Sequence, residues 1–275
     1  MREESLDLRG AMHDLYDLAA LERALAGTVF AGKLHFSPLT DSTNSDALDA
    51  ARSGAPHGSV YLADEQLAGR GRGDHAWDSA AGDGLYVSVL LRTPIPAVRL
   101  PLLPLAAGLA AAEAIRSMAG LTVDLRWPND LLIGPRKVGG ILVESKISGG
   151  SADYVVVGIG INVHQRTFSP DLTTPATSLD LETGRRVSRQ NILLSLLKSL
   201  QCETLMLVDP AATLTIPARV EQASTWIRGR RVEVHGPQAC TGVTAGLDEN
   251  GFLLVRTEAG LITVQTGGIR ATEIS

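Results

Sequence analysis

Cysteine is scarce in this chain: 275 residues hold two, Cys202 and Cys240. They form no C-x-x-C pair and no short spacing, which excludes a disulfide-stapled scaffold and a thiolate metal site. Cys202 falls in an apolar helical stretch and Cys240 in a strand, so both are expected to be buried thiols of a reduced, cytoplasmic protein. Basic charge is not in excess either, since 25 Lys and Arg stand against 30 Asp and Glu. An extended nucleic-acid surface needs clustered cations in surplus, so no nucleic-acid partner is expected, while a local pocket for a small anion stays open. The longest apolar run, Leu100 to Ala112, is interrupted by Pro101, Pro104 and Gly108 and is too short to cross a bilayer. Met1 to Asp7 mixes charges and lacks an apolar signal core, so neither export nor a membrane is expected.

Several catalytic signatures are missing as well. No G-x-x-x-x-G-K-[ST] loop occurs, and the G-x-G-x-x-G spacing fails in the glycine-rich segment because position 74 is Asp. There is no H-E-x-x-H, the histidines are scattered, and no serine lies in a G-x-S-x-G elbow. A phosphate-loop NTPase, a dinucleotide fold, a zinc enzyme and a serine hydrolase all lose their footing. Covalent catalysis by a side chain is not indicated.

What is present is a chain of 44% hydrophobic and 20% charged residues, enough for a soluble globular core. A short amphipathic helix is expected at Asp17 to Ala26, with little else before residue 36. Thr43-Asn44-Ser45-Asp46 reads as a capping box opening a helix to Arg52. Strands are expected at 59–63 and 85–91, then a long Ala-rich helix over Val98 to Met118. Thr122 to Arg126, Leu131 to Ile133, Val138 to Glu144 and Tyr154 to Val163 follow as strands, the last two joined at Gly149-Gly150. Helices are expected over Ser188 to Val208 and Pro210 to Ala223. Single helices alternating with groups of antiparallel strands predict an α+β fold, a mixed or antiparallel central sheet with packed helices. From Trp226 the texture changes to four or more short strands with turns at Glu249-Asn250-Gly251 and Glu258-Ala259-Gly260. The domains are therefore expected at 1–225 and 226–275, the second a small SH3-like β-barrel.

Three segments carry chemistry. In Gln66-Leu67-Ala68-Gly69-Arg70-Gly71-Arg72-Gly73, glycines supply bare N–H groups and arginines supply fixed donor forks. Such a loop either closes over an anion or is a flexible linker with solvated arginines. In Arg126-Trp127-Pro128-Asn129-Asp130, Pro128 forces an extended Trp127 and Asn-Asp favours a turn. Trp127 is either a tucked indole or a wall for a flat ring, and Asp130 offers an oxygen ligand to Mg²⁺. Lys137 enters an apolar strand beside Gly139 and Gly140, either as an ordinary strand-end lysine or as a group reaching a carboxylate or phosphate. Gly158-Ile159-Gly160 is a partial G-x-G in an apolar strand, best explained by close packing.

Taken in order, Ser42-Thr43-Asn44, Gln66 with Gly69-Arg70-Gly71-Arg72, Trp127-Pro128-Asn129-Asp130, Lys137 to Glu144 and Gly158 to Val163 resemble the biotin–protein ligase family. The likeness runs over roughly residues 35–265. It implies a central domain related to class II aminoacyl-tRNA synthetases. It also implies a reaction: biotin and MgATP give biotinyl-5′-AMP, and the biotinyl group then passes to a lysine of a biotin carboxyl carrier domain. Acetyl- or acyl-CoA carboxylase or pyruvate carboxylase would own that domain. By the same resemblance Ser42, Thr43, Asn44 and Gln66 would contact biotin. Arg70, Gly71 and Arg72 would close on its carboxylate and the adenylate phosphate. Lys137 would stabilise charge, Asp130 would associate with Mg²⁺, and Trp127, Asn129 and Asn162, with Arg72, would face the nucleotide. Arg126 stands where the family more often has lysine, and the less basic Gly73 to Ala76 stretch weakens an adenine role for His75. With some forty residues ahead of Ser42, a DNA-binding repressor role is not expected. The loop from Gly69 to His75 is expected to order only with ligand. Two rivals remain, a lipoate–protein ligase or octanoyl transferase and a non-catalytic biotin or nucleotide sensor.

Overall fold

A computed structural model describes residues 16–73 and 75–272. The N-terminal signal reading and Asp74 lie outside the described residues. The helices are α1 (Leu18–Ala24), α2 (Thr43–Arg52), α3 (Leu102–Ala119), α4 (Leu179–Thr183), α5 (Arg189–Val208), α6 (Pro210–Thr213) and α7 (Ile216–Gln222). The first seven strands are β1 (Leu34–Thr40), β2 (Ser59–Gln66), β3 (Gly84–Leu91), β4 (Asp124–Arg126), β5 (Asp130–Ile133), β6 (Arg136–Ser148) and β7 (Ser151–Asn162). They form one sheet in the order β1-β2-β3-β7-β6-β5-β4. Only the β1–β2 pair is parallel, so the sheet is mixed, as expected.

The sheet is covered on both faces at its centre. Every residue of β3 is buried. Val87, Val89, Val157 and Ile159 join the main core with α3 and α5, while Leu90 and Val156 pack with Ala47 and Ala51 of α2. Alternation along the strands sends successive side chains to the two layers. Helices α3 and α5 are long and apolar, but their buried hydrophobic residues belong to this core.

A second antiparallel sheet follows: β8 (Arg228–His235), β9 (Cys240–Leu247), β10 (Leu253–Thr257), β11 (Gly260–Val264) and β12 (Gly268–Ala271), in the order β11-β10-β9-β8-β12. Its Asn250-Gly251 turn is seated on the first unit. Gly251 has φ +83, and its carbonyl accepts from Trp127 Nε1 at 3.1 Å. A Cβ there would also lie 2.9 Å from Leu102 and Leu105 of α3, so glycine is required on two counts.

The structure corrects four expectations. The N-cap of α2 is Ser42, without a side-chain cap bond, because the Thr43 hydroxyl turns inward to Gln66 and Ser88. The stretch from Pro210 to Ala223 is two helices, since Pro217 has no N–H for the ladder and a turn at Leu214–Thr215 intervenes. Cys202 is exposed on the outer side of α5, and Cys240 is only partly covered at the start of β9. Finally, β1 and α4 went unread. Strand β1 carries Pro38 and is a sheet edge, where a missing N–H is tolerated, and α4 is a five-residue helix.

Candidate active site

The segments singled out by sequence converge on a single cavity of about 830 Å³. Ser42, Thr43 and Asn44 reach it from the start of α2, Gln66 from the end of β2, and Arg70, Gly71 and Arg72 from the loop after β2. Trp127, Asn129 and Asp130 come from the β4–β5 turn, Lys137 from β6 and Asn162 from the end of β7. All twelve expected residues line it. His235 and residues 266–270 of the second sheet close the remaining side.

One end of the cavity is a tight polar network. Gln66 Oε1 accepts from Thr43 N at 2.9 Å, and Gln66 Nε2 donates to Ser79 Oγ at 2.7 Å. Thr43 Oγ1 lies 2.8 Å from Ser88 Oγ, which donates to Asn44 Oδ1 at 2.6 Å. Asn44 Nδ2 donates to Glu144 Oε2 at 2.9 Å, and Arg70 Nη2 pairs with Glu144 Oε1 at 2.5 Å. Thr43, Asn44 and Ser88 are all buried, so a bonded network rather than solvent satisfies them. Gly158 makes room for it, because a Cβ there would fall on the Asn44 amide oxygen. The packing reading of Gly158-Ile159-Gly160 thus acquires a purpose.

The other end concentrates charge. Lys137 Nζ lies 2.5 Å from Asp130 Oδ1, and Arg126 Nη2 lies 2.6 Å from Asp130 Oδ2. Burial pushes the Asp130 carboxyl up, but Lys137 and Arg126 outweigh that and hold it below the usual carboxylate range. Arg72 donates to the carbonyl of Gly267 and, at 3.1 Å, to Thr266 Oγ1. Burial lowers its guanidinium pKa while Asp130 raises it, so Arg72 lies within the field of the same carboxylate. A bulge aims Lys137. The β5–β6 register shifts between Leu131 and Leu132, which lets Lys137 share a face with Gly140, three positions on. A Cβ on Gly140 would sit 3.6 Å from Lys137 Nζ and 3.3 Å from the Trp77 ring.

Trp127 is buried with its N–H given to Gly251, so only its ring is offered to the cavity. Asn129 Nδ2 donates to the Ile141 carbonyl at 2.7 Å, and Asn162 Nδ2 to the Thr177 carbonyl at 3.0 Å. Both amides brace the backbone that carries the site. Among the described residues no three His, Cys, Asp or Glu side chains cluster as metal ligands. Asp130 alone suits only a Mg²⁺ that brings most of its own oxygen ligands, phosphate and water.

Sequence reasoning missed four contributors. Trp77 seats its indole on Gly160, where a Cβ would lie 2.6 Å from the ring, and Lys137 Nζ is 5.5 Å from its centroid. Its buried Nε1 has no hydrogen-bond partner among the described residues. Ser88 and Glu144 complete the polar network, and the Thr266–Gly267 turn receives Arg72. The signal for Trp77 was Gly140 and Gly160, a bare patch of sheet on which something large must rest.

The model of the biotin/lipoate A/B protein ligase family matches residues 36–162. The bifunctional ligase/repressor BirA of Bacillus spizizenii is 33% identical over 86% of this chain and 73% of its own length. The biotin–[acetyl-CoA-carboxylase] ligase of Mycobacterium tuberculosis is 32% identical, over 84% of this chain and 85% of its own. The solved biotin protein ligase of Aquifex aeolicus, in complex with biotin and ATP, is 31% identical. It superposes with TM-score 0.75 over 88% of this chain and all of that one. The family model leaves biotin and lipoate undivided; the relatives and the shared fold divide them, and the chain belongs to the biotin–protein ligase family.

Proposed function

We propose that the cavity runs both halves of an ATP-dependent biotin ligation in place, the ring of biotin at the polar end and its carboxylate at the charged end. The observation that carries this is the juxtaposition of Lys137, Arg70 and Arg72 with the Thr43–Asn44 network in one enclosure. In the first step the biotin carboxylate attacks the α-phosphate of ATP, giving biotinyl-5′-AMP and expelling pyrophosphate. Negative charge grows on the phosphorus oxygens, and preplaced cations lower that barrier directly. Lys137 and Arg72 are the residues for this, with Arg70, paired with Glu144, on the biotin side of them. In the second step the amine of an acceptor lysine attacks the mixed anhydride carbonyl and expels AMP.

Mg²⁺ carried by the phosphates would neutralise charge on the leaving pyrophosphate, with Asp130 as its one carboxylate ligand. Asp130 must then share or release Lys137, freeing the ammonium for the reacting oxygens. Trp77, with the Trp127 ring, Asn129 and Asn162, makes the nucleotide side. Water must be kept from the anhydride, and Arg70 to Gly73 line the cavity with Arg72 resting on the second sheet.

The acceptor is a biotin carboxyl carrier domain of an acetyl- or acyl-CoA carboxylase or a pyruvate carboxylase, and the ligation takes place in the cytoplasm. Residues 1–225 act as the catalytic domain and 226–275 as an SH3-like domain closing one wall. The test is transfer of labelled biotin to an isolated carrier domain and to its Lys→Arg version. Labelling of the first alone supports the reading, and labelling of neither overturns it.

A further inference from the structure

Behind the ring pocket, Glu144, Asn44, Ser88 and Thr43 form an unbroken hydrogen-bonded chain. Thr43 and Asn44 line the cavity, whereas Glu144 and Ser88 do not. A chain of amide and hydroxyl groups can carry its protons in either of two senses. Each sense shows a ligand a different pattern of donors and acceptors.

Glu144 decides between them. Paired with Arg70 Nη2 at 2.5 Å, it is a carboxylate that can only accept. Asn44 must therefore turn its NH₂ to Glu144 and its carbonyl to Ser88. Ser88 spends its one hydrogen on Asn44, and Thr43 spends its own on Ser88 at 2.8 Å. The 3.2 Å approach of Thr43 Oγ1 to Gln66 Oε1 is then the weaker branch of the same donor. Left for a ligand are one N–H on Asn44 and the lone pairs of Thr43.

We propose that Glu144 is the positioning residue that sets this sense, making the pocket complementary to a cyclic urea, whose carbonyl accepts while its N–H groups donate. The inference rests on reading Thr43 and Asn44 as the ring contacts. Replacing Glu144 by glutamine should reverse the chain. Arg70 can only donate, so the introduced amide gives it the oxygen, a charge-assisted bond, and turns NH₂ toward Asn44. Asn44 then flips, Ser88 donates to Thr43, the Thr43 hydrogen turns to Gln66 Oε1, and Asn44 shows the ligand a carbonyl oxygen where it had shown N–H.

The experiment is calorimetric titration of the full chain with biotin and with 2-iminobiotin, which carries N–H in place of the urea oxygen. Wild type should prefer biotin. In Glu144→Gln the biotin dissociation constant should rise roughly tenfold or more, and the preference over 2-iminobiotin should shrink by a similar factor. KM for biotin should rise more than kcat falls. Glu144→Asp, still an acceptor only, should keep the preference. A change in that preference is something a merely structural role would not produce. If Glu144→Gln does not fold, Glu144→Met replaces it, since Asn44 is then free to flip and the preference should again fall. An undiminished preference in whichever of the two folds overturns the proposal, provided Asn44→Ala has weakened biotin binding. Unchanged biotin binding in Asn44→Ala overturns instead the reading of the ring pocket.

Discussion

Lys137 Nζ and Asp130 Oδ1 are 2.5 Å apart at the charged end of the cavity, so the lysine best placed for the reacting oxygens is held by a carboxylate. A bulge in β6 brings Lys137 onto this face. Lys137→Met should leave the fold intact and cut biotin-dependent pyrophosphate exchange by about 10²–10³-fold, the usual loss for one preplaced stabilising group. An unimpaired exchange rate would remove Lys137 from the chemistry.

The same pair sets a pH dependence. The folded-state pKa of Asp130 is held down by Lys137 and Arg126 against the burial that would raise it. Its contribution to stability is therefore fully present above the unfolded-state value near 3.8 and is lost as pH falls through the depressed folded value. Asp130→Asn should melt earlier than wild type at neutral pH, and the gap should close toward strongly acidic pH. A gap that stays constant through acid would show that the ion pairs contribute nothing net.

Arg72 rests on the Thr266–Gly267 turn, and in the proposed reaction it also holds the adenylate. Arg72→Gly removes both contacts. It should release biotinyl-5′-AMP faster and label bystander lysines, read by mass spectrometry of an added unrelated protein. Retention equal to wild type would assign Arg72 to the second sheet alone.

Ordering the loop costs roughly 1–2 kcal/mol per residue, so contacts to ligand should complete its closure. Limited proteolysis between Gly69 and His75 should slow with biotin plus ATP present. Equal cleavage with and without them would mean that the loop does not respond to occupancy.

Much of this was legible from the chain. The Gly69 to Gly73 spacing pointed to a loop over an anion or a flexible linker, the run from Trp127 to Asp130 to a tucked indole or a ring wall with a Mg²⁺ ligand, and strand alternation to both sheets. Strand β1 escaped because Pro38 breaks its pattern and its only partner is parallel. Ser88 and Glu144 escaped because they read as ordinary strand residues. Their meaning comes from partners far off in sequence, 100 positions in the case of Asn44 and Glu144. The Arg72–Gly267 contact spans 195 positions, and no local pattern encodes it. Lys137 was singled out, but the register shift that aims it could not be read, because the bulge falls within the first residues of β6, too few to show a change of period.

The central claim is that one enclosure activates biotin as an adenylate. Biotin-dependent exchange of labelled pyrophosphate into ATP measures that step without any acceptor protein. The account predicts exchange stimulated by biotin, not by lipoate, and nearly abolished in Lys137→Met. Stimulation by lipoate instead, or no exchange with either acid, would contradict it.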